Sequence, residues 1–255
     1  MAQLDTADLD IEWMDWPVQT SVTNSGWGSV LTDVMQHCPP SEAYYTDDKV
    51  TQAHESTHGI DTHLGLTYTS WVGWNAFYVL EGRALLLAEP GIRKAVVAPY
   101  VPQRFRRSRY DLYLVNQTAW DDHPLYIWEE WIAYTNGTAA GVDQAQQGLW
   151  SGGWRDACMG TLEFVVYGLA VGLAVEELDP EYFEDEPAFR PFLAFSLRRA
   201  LEVYRECAVI SSFAWETQDA YYQDLRSGAV AEPLRAFMRR TYGDEFTEEV
   251  LDLED

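Results

Sequence analysis

Residues Ala157 to Val175, ACMGTLEFVVYGLAVGLAV, are apolar around the whole helical circumference and carry one charge, Glu163. Such a run must be enclosed on all sides, by lipid or by the rest of the protein. It nearly reaches the ~20 apolar residues that span a bilayer, but Glu163 interrupts it and no basic flank follows. It therefore reads as a buried core helix over about 155–178. The hydrophobic content of 47%, with 14% aromatic residues, suffices to surround it.

The flanking segments predict an α+β fold that is mostly helical. It would consist of a polar helix at its centre, a small sheet with a hairpin, and a helical C-terminal half. Residues 1–45 read as an irregular N-terminal segment, 46–150 as the core carrying the site, and 151–255 as helices packed on it. WGSVLTDVMQH (27–37) fits a short helix or strand. A helix is expected over about 47–64, capped by Thr46 or Asp47. NAFYVLEGRALLLAEP (75–90) reads as a hairpin turning at Glu81-Gly82. A short helix at 92–102, a strand at 110–117 and a helix at 125–137 stopped by Gly137 follow. Further helices are expected at about 187–210, 213–226 and 229–242.

The net charge of -24, from 41 acids against 17 bases, repels nucleic acid and anionic membranes, so neither is an expected partner. Cys38, Cys158 and Cys207 are far apart without a CxxC pair, and read as free cysteines packed like small apolar residues. MAQLDTADLDIEWMDW has neither a basic n-region nor an apolar h-region, so no secretory signal is expected there. The corresponding locations are the cytoplasm, a virus particle, or export without a classical signal peptide.

The chemistry concentrates in TQAHESTHGIDTHLG (51–65), which holds three of the five histidines. His54-Glu55-Ser56-Thr57-His58 is H-E-x-x-H. Side chains four residues apart on a helix share a face, so both imidazoles can bind one Zn²⁺. Glu55, beside the first of them, is placed to take a proton from water. A chain of this composition yields the pattern by chance only about 0.01 times.

Catalytic zinc takes a third protein ligand and leaves one position open. His63, five residues after His58, points off the ligand face while the helix continues. LYIWEEWIAY offers Glu129 and Glu130, two acids set among Trp128, Trp131 and Ile132. A buried carboxylate must be paired or bind metal, and one of the two needs to face inward. Ala133 leaves a small surface for a helix to approach. Glu163 is a further candidate ligand. Asp61 or Tyr134, one turn beyond His58 and Glu130 respectively, is expected to touch a ligand from outside.

HESTHGIDTHLG followed by EEWIAY resembles the zincin metallopeptidases whose third ligand is glutamate, the gluzincins, in the pattern of the anthrax lethal factor catalytic domain. Gly59, Ile60, Asp61 and Gly65 match after the motif, and Glu130, Trp131, Ile132 and Ala133 match around the glutamate with one aromatic missing. The resemblance covers roughly 44–137 and implies a zincin-like core with zinc held by His54, His58 and Glu130, and Glu55 as general base. It also implies a tyrosine two turns before the glutamate that stabilises the oxyanion. His123 stands there instead, so His123 or Tyr126, one turn before Glu130, takes that part.

The expected function is a zinc-dependent hydrolase acting on a peptide or protein. The contrasting expectation is a structural or assembly protein, for example of a virus, that keeps the scaffold with or without zinc. Two other features are secondary. RFRRSR (104–109) is expected to pair with local acids. Trp71 and Trp74 either line a substrate cleft beside the hairpin or pack in the core.

Overall fold

The computed structural model describes residues 9–69 and 72–253. The apolar run becomes α5 (Cys158–Leu178), buried without a break from Cys158 to Glu176. By length and composition α5 could cross a membrane, yet the fold encloses it entirely. Helices α4 (Tyr126–Gln146), α6 (Pro180–Asp185), α7 (Phe189–Ala208), α8 (Gln218–Ser227) and α9 (Glu232–Tyr242) supply the neighbours that a helix without a polar face requires. Glu163 is tolerated inside because Arg109 reaches it at 2.7 Å.

Helices α1 (Ser29–His37) and α2 (Lys49–Tyr68) pack on each other and on α4. Beside them lies a three-stranded antiparallel sheet of order β1-β3-β2, with β1 at Met14–Asp15, β2 at Trp74–Tyr78 and β3 at Arg83–Ala88. The fold class is thus as expected, and the hairpin turns at Leu80 to Gly82. A short α3 (Lys94–Val97) and a closing α10 (Asp244–Leu251) complete the helices named here.

Several local expectations need correction. The cap of α2 is Asp48, whose carboxylate accepts from Thr51 N at 3.3 Å and from the Thr51 hydroxyl at 2.9 Å. The predicted strand at 110–117 is a wide, π-type helical turn, Tyr110–Asn116. Its buried residues Tyr110, Tyr113 and Leu114 follow helical spacing, and Gln117 N reaches back to Leu112 O at 3.2 Å. The N-terminal segment is not wholly irregular. Trp16 is buried, donates from Nε1 to His37 O at 2.8 Å, and holds β1 against the sheet. Gly137 does not stop α4, which continues to Gln146.

Cys158 and Cys207 are not free: they form a disulfide, and Cys38 alone is a buried thiol. Cys158 opens α5 and Cys207 lies at the end of α7. Each helix is about 30 Å long at 1.5 Å per residue, so the return of α7 brings the two ends together. The RFRRSR run pairs not with local surface acids but with groups distant in sequence, one of them the buried Glu163. Arg104 meets Asp224 at 2.7 Å, Arg109 meets Asp156 and Glu163, and Arg107 donates to the Thr217 hydroxyl.

Candidate metal centre

Helix α2 crosses α4 closely because glycines line the contact. A Cβ on Gly137 would stand 2.8 Å from Val50 O and 3.3 Å from His54 Cβ, and one on Gly141 would stand 2.8 Å from Val50 Cγ2. This is why α4 carries Gly137 in its middle despite the helix penalty. Alanine at 137 would raise helix propensity by ~1 kcal/mol if there were room. We expect Gly137→Ala to destabilise instead, by about 1–3 kcal/mol of overpacking, as measured by urea unfolding. A stabilised variant would contradict the tight crossing.

The close crossing sets His54 and His58 of α2 against Glu129 and Glu130 of α4. His54, His58 and Glu130 form a group that can bind a metal ion, their ligand atoms all within 4.8 Å of one another. The two Nε2 atoms are 3.1 Å apart, and each lies 3.6 Å from Glu130 Oε2. Glu130 Oε2 is buried and has no hydrogen-bond partner. Its twin Oε1 accepts from the Tyr126 hydroxyl at 2.6 Å. Tyr126 also contacts Gln117 Oε1. The phenol has one proton, so donation to Glu130 requires Gln117 to present its amide N–H.

Both glutamates face inward, where one would have sufficed. Glu129 Oε1 lies 2.9 Å from His58 Nδ1, the outer contact that orients a metal-binding imidazole and raises its basicity. His54 makes a backbone hydrogen bond at Ala133. Of the two expected outer partners, Tyr134 touches a ligand and Asp61 is paired elsewhere. Tyr134 meets the His54 ring edge-on, centroids 4.7 Å apart. Asp61 is buried and accepts from Tyr78 N at 2.7 Å, which, with Asn136 Nδ2 bonded to Tyr78 O at 2.9 Å, closes that end of the free β2 edge. We expect Glu129→Gln to weaken metal binding by roughly 10–100-fold in a chelator competition. Unchanged affinity would show that the His58 contact carries no weight.

The electrostatics prepare the group for a cation. Burial, then the neighbouring His58, lowers His54 to about 3 against the pull of Glu130, so its ring is neutral and its Nε2 lone pair faces His58 Nε2 at 3.1 Å. Burial opposes charge on His58, but the hydrogen bond and charge of Glu129, joined by Glu130, hold it well above the usual histidine range. Burial would raise Glu130, yet His58, His54 and the Tyr126 hydroxyl outweigh it and keep the carboxyl below its usual range. Burial and the Glu129 charge push Asp61 well above the carboxylate range.

The remaining candidates lie as follows. Glu55 is exposed on α2 and, with His54, lines a cavity of about 180 Å³. His123 Nδ1 lies 3.3 Å from Glu89 Oε1, and its ring meets Trp120. His63 faces Trp16, centroids 5.7 Å apart, and Glu163 is committed to Arg109; neither joins the group. Trp74 opens β2 with 39% exposure, whereas Trp71 lies outside the described residues. Sequence reasoning missed Tyr113 and Arg109, which also line the cavity. Tyr113 was hidden in the misread strand, and Arg109 in a run that reads as surface charge.

Comparison with known protein families, curated proteins and solved structures finds no match for this chain.

Proposed function

We propose that this protein is a zinc-dependent hydrolase that cleaves peptide bonds, with His54, His58 and Glu130 holding the metal and Glu55 as general base. One observation carries the reading: Glu130 Oε2 is buried, makes no hydrogen bond and lies 3.6 Å from each of two imidazole Nε2 atoms. A buried carboxylate oxygen without a donor costs several kcal/mol of solvation, and a cation there removes that cost. Two imidazoles and one carboxylate suit zinc better than the all-oxygen cations. The bound zinc supplies a Lewis acid that lowers the pKa of water toward ~7.

The residues then divide the work. Glu55, in the cavity wall beside His54, accepts a proton from the attacking water and returns it to the departing amine. Tyr126 fixes the Glu130 carboxylate, and Glu129 fixes the His58 ring. His123, bound to Glu89, orders the turn that precedes α4. Only Trp74, exposed at the start of β2, is open to a substrate on this side, because Asn75 to Tyr78 are buried. The partner is a peptide or protein, and the strongly acidic chain disfavours nucleic acid and membrane surfaces. The disulfide favours export over the cytoplasm.

A structural or assembly role is the alternative, and it predicts a metal closed by a fourth protein ligand. Among the described residues the group contains three, and a cavity opens beside it, which favours the enzyme. The test combines metal analysis of protein purified without added zinc and cleavage of a peptide library. Zinc with cleavage supports the hydrolase. Zinc without cleavage by the wild type under any salt condition transfers the reading to the structural role.

A further inference from the structure

Two arginines line the cavity beside His54 and Glu55, and they are balanced differently. Arg109 is held by Glu163 at 2.7 Å and by Asp156 at 2.9 Å, so two carboxylates offset its charge. Arg155 has one acid. Its Nε lies 3.0 Å from Asp48 Oδ2, and its Nη2 donates to the Thr51 hydroxyl at 2.6 Å. That acid is already engaged: Asp48 caps α2 and accepts from both Thr51 N and the Thr51 hydroxyl. A guanidinium has five N–H donors in a planar fork. Arg155 Nη1 makes no hydrogen bond among the described residues, and 42% of the side chain is exposed. The donors left over can grip a carboxylate through two parallel bonds.

Arg155 is also fixed in place. Its backbone N–H donates to Ser212 O at 2.8 Å, and the neighbouring Trp154 donates from Nε1 to Ala214 O at 2.8 Å. Further along, Cys158 is bonded to Cys207. On α2, Asp48, Thr51 and Glu55 are spaced three and four residues apart and share a face. Thr51, which holds the guanidinium, is therefore one helical turn, about 5.4 Å, from Glu55. An extended peptide advances about 3.3–3.6 Å per residue. A carboxylate held at Arg155 thus falls one or two residues from a bond attacked beside Glu55.

We propose, on the hydrolase reading above, that Arg155 selects the substrate by binding a carboxylate one or two residues from the scissile bond. That carboxylate is the C-terminus of the peptide, so that the protein trims short fragments from chain ends, or an acidic side chain. Asp48 and Thr51 are positioning residues that hold the guanidinium. The net charge of -24 repels acidic peptides from most of the surface, so a substrate that carries a carboxylate into the cavity needs a cation fixed there to receive it.

Three acetylated hexapeptides of alternating Ala and Gly test this: one with a free C-terminal carboxylate, one ending in an amide, and one amide with Glu as its last residue. The wild type is expected to cleave one or both carboxylate peptides with kcat/KM about 10–100-fold above the neutral amide, the worth of a charge-assisted pair. Preference for the free acid identifies the C-terminus, and preference for the Glu peptide identifies the side chain. In Arg155→Gln, whose amide can still donate to Thr51, that preference is expected to vanish through a raised KM on the carboxylate peptide, with zinc still bound. Arg155→Lys, a point charge without the fork, is expected to keep part of it. Equal cleavage of the three peptides by the wild type, or a preference that survives in Arg155→Gln, would overturn the assignment and leave the hydrolase reading standing. If the wild type cleaves nothing, the hydrolase reading fails, and calorimetric titration of the purified protein with the same peptides decides. Tighter binding of a carboxylate peptide than of the neutral amide, lost in Arg155→Gln, then upholds the carboxylate site, while equal binding or none removes it.

Discussion

Glu55→Gln is expected to keep the metal and lose the reaction: turnover should fall by roughly 10²–10⁴, the usual worth of a general base. Glu55 does not belong to the three-residue ligand group and is exposed in the cavity wall, so nothing in the packing of α2 against α4 depends on it. Glutamine keeps its size and its hydrogen-bonding reach but cannot take a proton. Substrate affinity should change little, because the lost interaction belongs to proton transfer and not to recognition. Metal content and peptide cleavage, measured on the same preparation, check both halves. A Gln variant that cleaves as well as the wild type would exclude water activation by Glu55.

Breaking the disulfide should produce the largest loss of stability. The bond closes a loop with a sequence separation of 49 residues, and the entropy removed from the unfolded chain by a loop of that size corresponds to about 4 kcal/mol. That is a large share of the 5–15 kcal/mol that holds a typical domain together. The bond ties the start of α5 to the end of α7, and α5 starts directly after Arg155, Asp156 and Ala157, which line the cavity. Cys158→Ser with Cys207→Ser should therefore lower the urea midpoint and loosen that wall. Urea unfolding of the double variant, compared with the wild type under oxidising and reducing conditions, reads the effect. Equal midpoints would mean that the helix packing alone sets the stability.

What the sequence revealed, and what it concealed, follows from the range of each interaction. H-E-x-x-H was legible because its geometry is internal to one helix: the four-residue spacing puts His54 and His58 on one face wherever α2 lies. Glu129 and Glu130 were marked by charge within an aromatic helix, though not by which one faces the histidines; in the fold both do. The all-round apolar pattern of α5 survives any tertiary arrangement, so its place in the core was plain. Other features depend on distant partners. Gly137 looks like a helix stop in isolation and serves as a contact surface once Val50 is present. Cys158 and Cys207 show no local pattern because helices of matched length bring them together. Tyr113 sits where Tyr110, Tyr113 and Leu114 follow helical spacing within a segment rich in strand-forming side chains. Short α6 and α10 were missed, since one or two turns leave too few residues for a period.

Every catalytic step proposed for this protein requires that His54, His58 and Glu130 hold a metal ion together. The most direct measurement is calorimetric titration of zinc into metal-free wild type and into Glu130→Ala, with circular dichroism to confirm that both are folded. One zinc per wild-type chain is expected, with an affinity at least about 100-fold weaker in the variant, since loss of an inner ligand should exceed the 10–100-fold typical of outer partners. A wild type that binds no zinc, or a variant that binds it equally well, would exclude this metal centre.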